Sequence, residues 1–426
     1  MNMLVVGCLI MFSLFMIGVP IWLALMTGGT FLLLFFTHSS VLTVAMQFFS
    51  SVDSFTLMAI PFFLLGGAIM AHCGPAKYIY DAINAWFGRI KGGLAFSAVV
   101  MCMVYAAITG SNSATLAGVA DICTPPMEKA GYSRKFIAGM LACSSTLGQL
   151  IPPSCYMIVY GSIVQENVGT LFISGIIPGI ICGLAIGIWA IIKNPLKIDE
   201  NNEIFSWKNR FTTLWKGFPA LIMPIIVLGG IYTGFFTPTE AGAMAVVYGI
   251  FISVFVYRTM DWKVTKKTFI GATRSHGMVF IVISGAMIFA QSLTYARIPQ
   301  RISEIVIEQG FGRIEFLLAS SALFLILGCF LDPMPILFLV VPVLLPALKN
   351  LDINLMHFNV ISIICMQIST VTPPYGMSLY VSSGLLKVPV EDVIKTSMPF
   401  LAVMVLVLLL IIFVPELSLF LPNMMH

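Results

Sequence analysis

The chain has 426 residues, of which 59% are hydrophobic and 9% are charged, and its formal net charge is +4. A soluble domain has about 25% charged residues, so this composition excludes a soluble enzyme, a nucleic-acid-binding protein and a disordered chain. The sequence predicts an all-α protein that crosses a lipid bilayer several times.

The first half of the chain predicts a series of apolar segments. In chain order they are residues 3–36 as two short spans interrupted at 18–20, then 55–71, 92–108, 114–127, 134–164 broken at Pro152-Pro153, and 168–192. Between them, residues 75–89 alternate charged and aromatic side chains, which predicts an amphipathic helix lying in the membrane interface. Residues 193–216 form the longest polar stretch, which we interpret as a cytoplasmic loop.

The second half predicts the same plan. Its apolar segments are residues 218–234, 241–257, 269–292, a run that ends at Leu331-Asp332-Pro333, 335–348, 358–377 broken at Pro373-Pro374, and 396–421. An amphipathic stretch at 299–311 takes the place of residues 75–89. The chain is therefore predicted to be one transport domain made of two repeats, residues 1–192 and 217–426, joined by the linker 193–216.

The repeat is visible in matched residues. Ser111, Pro125 and Pro152-Pro153 lie 221 positions before Asp332, Pro346 and Pro373-Pro374. Each half has five full crossings and one hairpin that enters and leaves on the same side, and an odd number of crossings makes the two repeats inverted. With the linker placed in the cytoplasm, 18 of the 22 basic residues fall on that side, as the positive-inside rule requires. Both termini are then periplasmic.

Four helix breaks are the candidate functional positions. An unpaired backbone group in hydrocarbon costs several kcal/mol, so broken helices occur only inside protein or around a wet cavity. The tip Gly110-Ser111-Asn112-Ser113 offers hydroxyls, an amide and bare backbone, although small residues also serve as plain helix contacts. Asp332 is an intramembrane carboxylate at the matching tip, residues 332–335, and either binds a ligand or caps the following helix.

The two Pro-Pro breaks free upstream carbonyl groups because proline lacks the N–H donor. Gln149, Ser154, Thr370 and Thr372 place polar side chains beside these breaks. Carbonyls of this kind bind sodium, and helix N-termini favour anions. Glu240 is either an ion ligand or the cap of the following helix. The sequence does not distinguish a functional from a structural role for Asp121. The nine cysteines form no CxxC pair. The sequence contains no P-loop, which excludes an ATP-driven pump.

These motifs resemble those of the large membrane subunit (DctM-like M subunit) of tripartite ATP-independent periplasmic (TRAP) transporters, over essentially the whole chain. The resemblance rests on Ile60-Pro61-Phe62-Phe63, Gly110-Ser111-Asn112-Ser113, Lys129-Ala130-Gly131-Tyr132, Ile151-Pro152-Pro153-Ser154 with Tyr160-Gly161, Thr237-Pro238-Thr239-Glu240-Ala241, Leu331-Asp332-Pro333 and Thr372-Pro373-Pro374-Tyr375-Gly376. The family more often has Gly-Ser-Ser at the first tip, so Asn112 is a departure from its pattern.

The resemblance implies an elevator-type, sodium-coupled importer of organic acids (a dicarboxylate, sialic acid, or another sugar or keto acid) with a fold like that of the ion transporter superfamily. It implies two partners, a separate four-helix small membrane subunit and a periplasmic substrate-binding protein, and a place in the bacterial cytoplasmic membrane. Sodium would be the coupling ion, and no cofactor is expected.

Under this hypothesis the tips and the breaks bind the ion and the substrate together. The expected substrate-binding residues are Ser111, Asn112, Ser113, Ser154, Asp332, Thr372 and Tyr375. The expected sodium ligands are Gly110, Ser111, Asn112, Pro152, Asp332, Thr370, Pro373 and Gly376. One alternative is a two-hairpin carboxylate or ion transporter that works alone. The other is an intramembrane enzyme, for which the sequence offers no convincing nucleophile–base pair or metal cluster.

Overall fold

Twenty α-helices make up most of the computed structural model, which describes residues 2–37, 39–72, 76–194, 196 and 206–425. The first half contains ten of them: α1 (Asn2–Met16), α2 (Ile21–Phe31), α3 (Val41–Ser50), α4 (Ala59–His72), α5 (Ala76–Phe87), α6 (Gly93–Thr109), α7 (Asn112–Lys129), α8 (Arg134–Ser145), α9 (Cys155–Val164) and α10 (Val168–Lys193). A π-helical turn, Leu32–Phe36, extends α2, and a 3₁₀ turn, Thr146–Gln149, follows α8.

The second half contains the other ten helices: α11 (Trp207–Tyr232), α12 (Pro238–Phe251), α13 (Trp262–Tyr295), α14 (Ile298–Glu308), α15 (Arg313–Gly328), α16 (Pro333–Asn350), α17 (Leu355–Ser369), α18 (Met377–Leu386), α19 (Val390–Phe413) and α20 (Glu416–Asn423). A π-helical turn, Ile252–Val256, extends α12 just as one extends α2. The predicted all-α membrane fold is confirmed, and six helices among the described residues are long and apolar enough to span a bilayer.

The helix order of the second half parallels that of the first. The hairpin α6–α7 and the broken pair α8–α9 have counterparts in α15–α16 and α17–α18. The single 34-residue helix α13 takes the place of α3 and α4 together. The inverted relation of the two halves and the division at the linker stay predictions.

The predicted interruption near Gly18 is present, because α1 ends at Met16 and α2 begins after Pro20. Gly18 adopts a φ of +83°, a conformation that residues with a side chain rarely adopt. The amphipathic helix predicted at residues 75–89 is α5, although residue 75 lies outside the described residues. The sequence interpretation omitted α3, an amphipathic helix capped by Ser40, whose hydroxyl accepts a hydrogen bond from the Thr43 amide.

The predicted loop at 193–216 was too long, because α11 begins at Trp207; residues 195 and 197–205 lie outside the described residues. Ser206 caps the helix, with its hydroxyl accepting a hydrogen bond from the Asn209 amide. Trp207 and Phe211 lie four residues apart on one helical face, and both pack against Trp86 of α5. This aromatic contact stabilises a segment whose polar composition suggested a loop.

The predicted final span at 396–421 was also wrong in its bounds. The span α19 begins six residues earlier, at Val390, and it ends at Phe413. Pro415 lies at the boundary between α19 and α20, where a proline cannot continue the preceding helix. The separate helix α20 packs against α10 and α17.

Helix packing divides the fold into two groups. In one, α2 crosses α13 and α4 crosses α12. A Cβ atom at Gly29 would lie 2.7 Å from the backbone nitrogen of Phe289, so only glycine permits the α2–α13 approach. In the other group, α8 packs against α19, and α6 against α10. The hairpin helices contact both groups, since α6 and α7 also pack against α4 and α5, and α16 packs against α13 and α14.

Candidate functional site

The first hairpin tip is a two-residue turn between α6 and α7. Gly110 ends α6 in the left-handed conformation with φ +58°, and Ser111 is extended, so that α7 begins at Asn112. The hydroxyls of Thr109 and Thr115 lie 2.8 Å apart and are hydrogen-bonded to each other across the turn. The turn therefore places the last carbonyls of α6 beside the first amides of α7, two sets of backbone groups without helical partners.

The first tip lies directly on the first Pro-Pro break. A Cβ atom at Gly110 would be 2.7 Å from the carbonyl oxygen of Pro153, and one at Gly148 would be 3.3 Å from the carbonyl carbon of Ser111. On its other side the tip meets α4, where a Cβ atom at Gly67 would overlap the carbonyl oxygen of Thr109. The tip thus contacts backbone on two sides, and its closest approaches are possible because Gly67 and Gly110 have no Cβ atom.

Ser154 and Gln149 line the first break, and both are fully buried. The Ser154 hydroxyl donates to the carbonyl oxygen of Gln149, one of the groups that the break releases from α-helical bonding. Both polar atoms of the Gln149 side-chain amide lack a hydrogen-bond partner among the described residues. A buried polar group without a partner is unfavourable, so the Gln149 amide retains capacity for a ligand.

At the second break the predicted residues Thr370 and Thr372 are both hydrogen-bonded to the end of α17. The Thr370 hydroxyl donates to the carbonyl of Gln367 at 2.8 Å, and the Thr372 hydroxyl to that of Ile368 at 2.7 Å. A hydroxyl that donates its hydrogen keeps its oxygen lone pairs, so both side chains remain possible cation ligands. Gly376, with φ +29°, allows the chain to enter α18.

Asp332 caps α16, one of the two roles that the sequence allowed, and it also contacts the second break. One carboxylate oxygen accepts a hydrogen bond from the Met334 amide at 3.2 Å and caps α16. The other accepts from the Tyr375 hydroxyl at 3.3 Å, which joins the second tip to the second break. The ends of α15 and α17 also lie close together here, since a Cβ atom at Gly328 of α15 would overlap the side chain of Ser369 of α17.

A hydrogen bond joins the first tip to the start of α18 in the other half. The Asn112 side-chain amide in the first tip donates to the Ser378 hydroxyl in the first turn of α18, at 2.6 Å. The sequence interpretation missed Ser378, which lies beyond the Thr372–Gly376 motif and has no distinctive neighbour.

The remaining candidates divide between the site and the surface. Ser111 and Ser113 stay together at the first tip, with their hydroxyl oxygens 3.4 Å apart, although Ser113 is exposed. Glu240 is a helix cap, because it completes a capping box with Thr237 at the start of α12. Asp121 is exposed on α7. The described residues contain no group of three or more His, Cys, Asp or Glu side chains that could hold a metal ion.

Four helix N-termini meet around this junction: α7 and α16 begin at the tips, and α9 and α18 begin after the breaks. The helices α7 and α18 pack together, as do α9 and α16. Each N-terminus carries a partial positive charge of about half an elementary charge. Among the tip and break residues predicted to bind ligand, only Asp332 carries a formal charge. The arrangement can attract an anion through helix ends and hydroxyls while offering carbonyl and carboxylate oxygens to a cation.

Comparison with known proteins gives a consistent family match. The family model described as "Tripartite ATP-independent periplasmic transporter, DctM component" matches residues 8–417. A C4-dicarboxylate TRAP transporter large permease protein DctM of Pseudomonas aeruginosa is 38% identical over 396 residues, which is 93% of each chain. An isethionate TRAP transporter permease protein DctMQ of Oleidesulfovibrio alaskensis is 34% identical and aligns with 96% of this chain but 65% of its own length.

A solved structure shares the fold at low sequence identity. The YdaH transporter of Alcanivorax borkumensis superimposes with a TM-score of 0.55 over 87% of each chain, at 11% identity. At this identity the likeness concerns the fold alone.

Proposed function

The chain belongs to the DctM family of tripartite ATP-independent periplasmic (TRAP) transporters as a large permease component, not an enzyme, and we propose that it imports an organic acid together with sodium across the bacterial cytoplasmic membrane. The observation that carries the proposal is the meeting of two hairpin tips and two broken helices in one junction. A C4-dicarboxylate, the substrate named for the P. aeruginosa relative, is an example of the substrate class.

Sodium coupling is supported by the charge of the junction. An organic anion would bind near the Asp332 carboxylate, and two negative charges in a medium of low dielectric repel each other. Sodium held by the carbonyl and hydroxyl oxygens of the breaks would neutralise this repulsion, so that ion and substrate each favour the binding of the other. Broken transporter helices bind coupling ions in this way.

Transport itself is proposed to occur by movement of the helices that carry the site against the α2–α13 and α4–α12 crossings. Glycine contacts make those crossings close, which suits a fixed scaffold. The interfacial helices α5 and α14 would brace the motion. The partners proposed are a small four-helix membrane subunit and a periplasmic substrate-binding protein. The relative named DctMQ supports the first, since this chain aligns with only 65% of its length.

The proposal is tested by uptake of a radiolabelled organic acid into proteoliposomes that contain this chain, its small subunit and the binding protein. We expect uptake to require an inward sodium gradient and to fall to the level of protein-free liposomes when potassium replaces sodium. Uptake that is unchanged without a sodium gradient would refute the coupling. Omission of the binding protein is the second arm, and full uptake without it would instead favour a transporter that works alone.

A further inference from the structure

A buried amide joins the two Pro-Pro breaks to each other. The side-chain N–H of Gln367 in α17 donates to the backbone carbonyl of Thr146 at 3.0 Å. Thr146 is the first residue of the 3₁₀ turn that leads into Pro152, and Gln367 lies six residues before Pro373. Both side chains are fully buried. The bond therefore connects equivalent positions of the two halves, which are 221 residues apart, as the two Pro-Pro pairs are.

The connection continues from Gln367 through the second break to the first tip. The Gln367 carbonyl accepts from the Thr370 hydroxyl at 2.8 Å, and the Thr370 carbonyl accepts from the Ser378 amide at 3.0 Å. The Ser378 hydroxyl then accepts from Asn112 at 2.6 Å. The first tip in turn contacts the carbonyl of Pro153 in the first break. These hydrogen bonds and this contact therefore form a closed circuit through the first break, the second break and the first tip.

The residues of the circuit and its neighbour Gln149 carry buried polar atoms that could still form hydrogen bonds or bind a ligand. The side-chain carbonyl oxygens of Gln367 and Asn112, and both amide atoms of Gln149, have no hydrogen-bond partner among the described residues. Their burial makes this unfavourable, and in a connected network the position of one group affects the energy of the next. A cation that draws in oxygens at one break would thereby shift the groups that face the other.

The circuit is not what holds the two halves together. Lys135 of α8 forms an ion pair with Asp392 of α19 at 2.9 Å, and the Ser382 hydroxyl donates to the carbonyl of Ala138 at 2.8 Å. These two contacts also join the first half to the second half, and neither of them involves Gln367. Loss of the Gln367 side-chain bond should therefore leave the two halves assembled.

We propose that Gln367 is a positioning residue that couples the two Pro-Pro breaks, so that a sodium ion bound at one break raises the affinity of the other. This inference rests on the proposed sodium coupling. It concerns how the two half-sites communicate, and it does not require Gln367 to touch either ion.

The test measures the sodium dependence of uptake in proteoliposomes that contain the three-component system. Gln367→Met removes the amide at similar side-chain length, and Ser378→Ala removes the Asn112 link at the other end of the circuit. Asn359→Leu is the matched control, because it removes a fully buried amide from the same helix outside the circuit. Coupling between sites in proteins is commonly about fivefold or more in affinity. Wild type and Asn359→Leu should therefore give a Hill coefficient clearly above 1, and in Gln367→Met and Ser378→Ala the coefficient should fall toward 1.

The variants also give a double-mutant cycle. If both bonds belong to one circuit, the double variant should have the same Hill coefficient as either single variant. A steep sodium curve in Gln367→Met would overturn the coupling role while leaving sodium-driven transport intact. Wild-type uptake that ignores sodium would overturn the proposed function itself. Equal loss of steepness in Asn359→Leu would show a packing effect of α17 and would also overturn the role of Gln367.

Discussion

Replacing Asp332 with alanine is expected to abolish uptake while the protein still inserts into the membrane. The substitution removes the only formal charge among the predicted ligands and two hydrogen bonds, from the Met334 amide and the Tyr375 hydroxyl. Because the carboxylate is the charged ligand proposed for sodium, its loss should lower uptake at least about 100-fold, the factor that corresponds to about 2.8 kcal/mol of binding free energy. Initial uptake rates, normalised to the amount of protein in proteoliposomes, measure the effect.

The capping role of Asp332 needs a separate control, since loss of an N-cap alone destabilises a helix by about 0.5–2 kcal/mol. Asp332→Asn keeps a side-chain oxygen for the Met334 amide and is an equally good cap, but it removes the charge. We expect Asp332→Asn to have near wild-type thermal stability and to lose uptake almost as fully as Asp332→Ala. Near-normal uptake in Asp332→Asn would restrict Asp332 to capping α16 and would remove its charge from the proposed site.

Gly110→Ala is expected to produce the second large effect, in both stability and uptake. A residue with a Cβ atom at the φ of +58° costs about 1–2 kcal/mol. The same Cβ atom would meet the Pro153 carbonyl oxygen at 2.7 Å, and backbone on both sides leaves little room for relaxation. The first tip should therefore separate from the first break. Thermal unfolding of the purified protein and uptake in proteoliposomes measure the two consequences.

Gly310→Ala separates the two causes. Gly310 has a similar φ of +65°, but no atom lies within 4 Å of a Cβ atom built there. This variant should lose stability through backbone strain alone and should keep its uptake. If Gly110→Ala and Gly310→Ala proved equally active, the contact between the first tip and the first break would have no role in transport.

Much of the fold could be predicted because the physical signals are local. Apolar length locates spans, and the pairs Pro152-Pro153 and Pro373-Pro374 locate two breaks, since proline lacks the N–H that continues a helix. The third pair, Pro125-Pro126, lies inside α7 without ending it. The start of α11 could not be predicted, because the aromatic contact between Trp207 and Trp86 joins residues far apart in sequence. The break between α19 and α20 was overlooked although Pro415 was visible, because the apolar run continues past it.

The site was predictable as a set of segments but not as a set of contacts. Asp332 and Tyr375 were both predicted, yet their hydrogen bond depends on the packing of α16 against neighbouring helices. Glu240 shows the reverse case: the sequence contained the full capping box Thr237 to Glu240, and the local explanation was the correct one. Thr146 and Gln367 lie 221 residues apart, the same spacing as Pro152 and Pro373, but nothing in the sequence indicated that they are hydrogen-bonded to each other.

The central claim is that the tips and breaks of this chain bind sodium, and the melting temperature in lipid nanodiscs tests it most directly. A ligand that binds only the folded state stabilises it by RT ln(1 + [L]/Kd), which is about 2.7 kcal/mol at 100 times Kd. At equal ionic strength, the protein should melt at a higher temperature in sodium chloride than in potassium chloride, with a shift that grows with sodium concentration. Asp332→Asn should lose most of this shift. Equal melting temperatures in the two salts, or a full sodium shift in Asp332→Asn, would contradict the account.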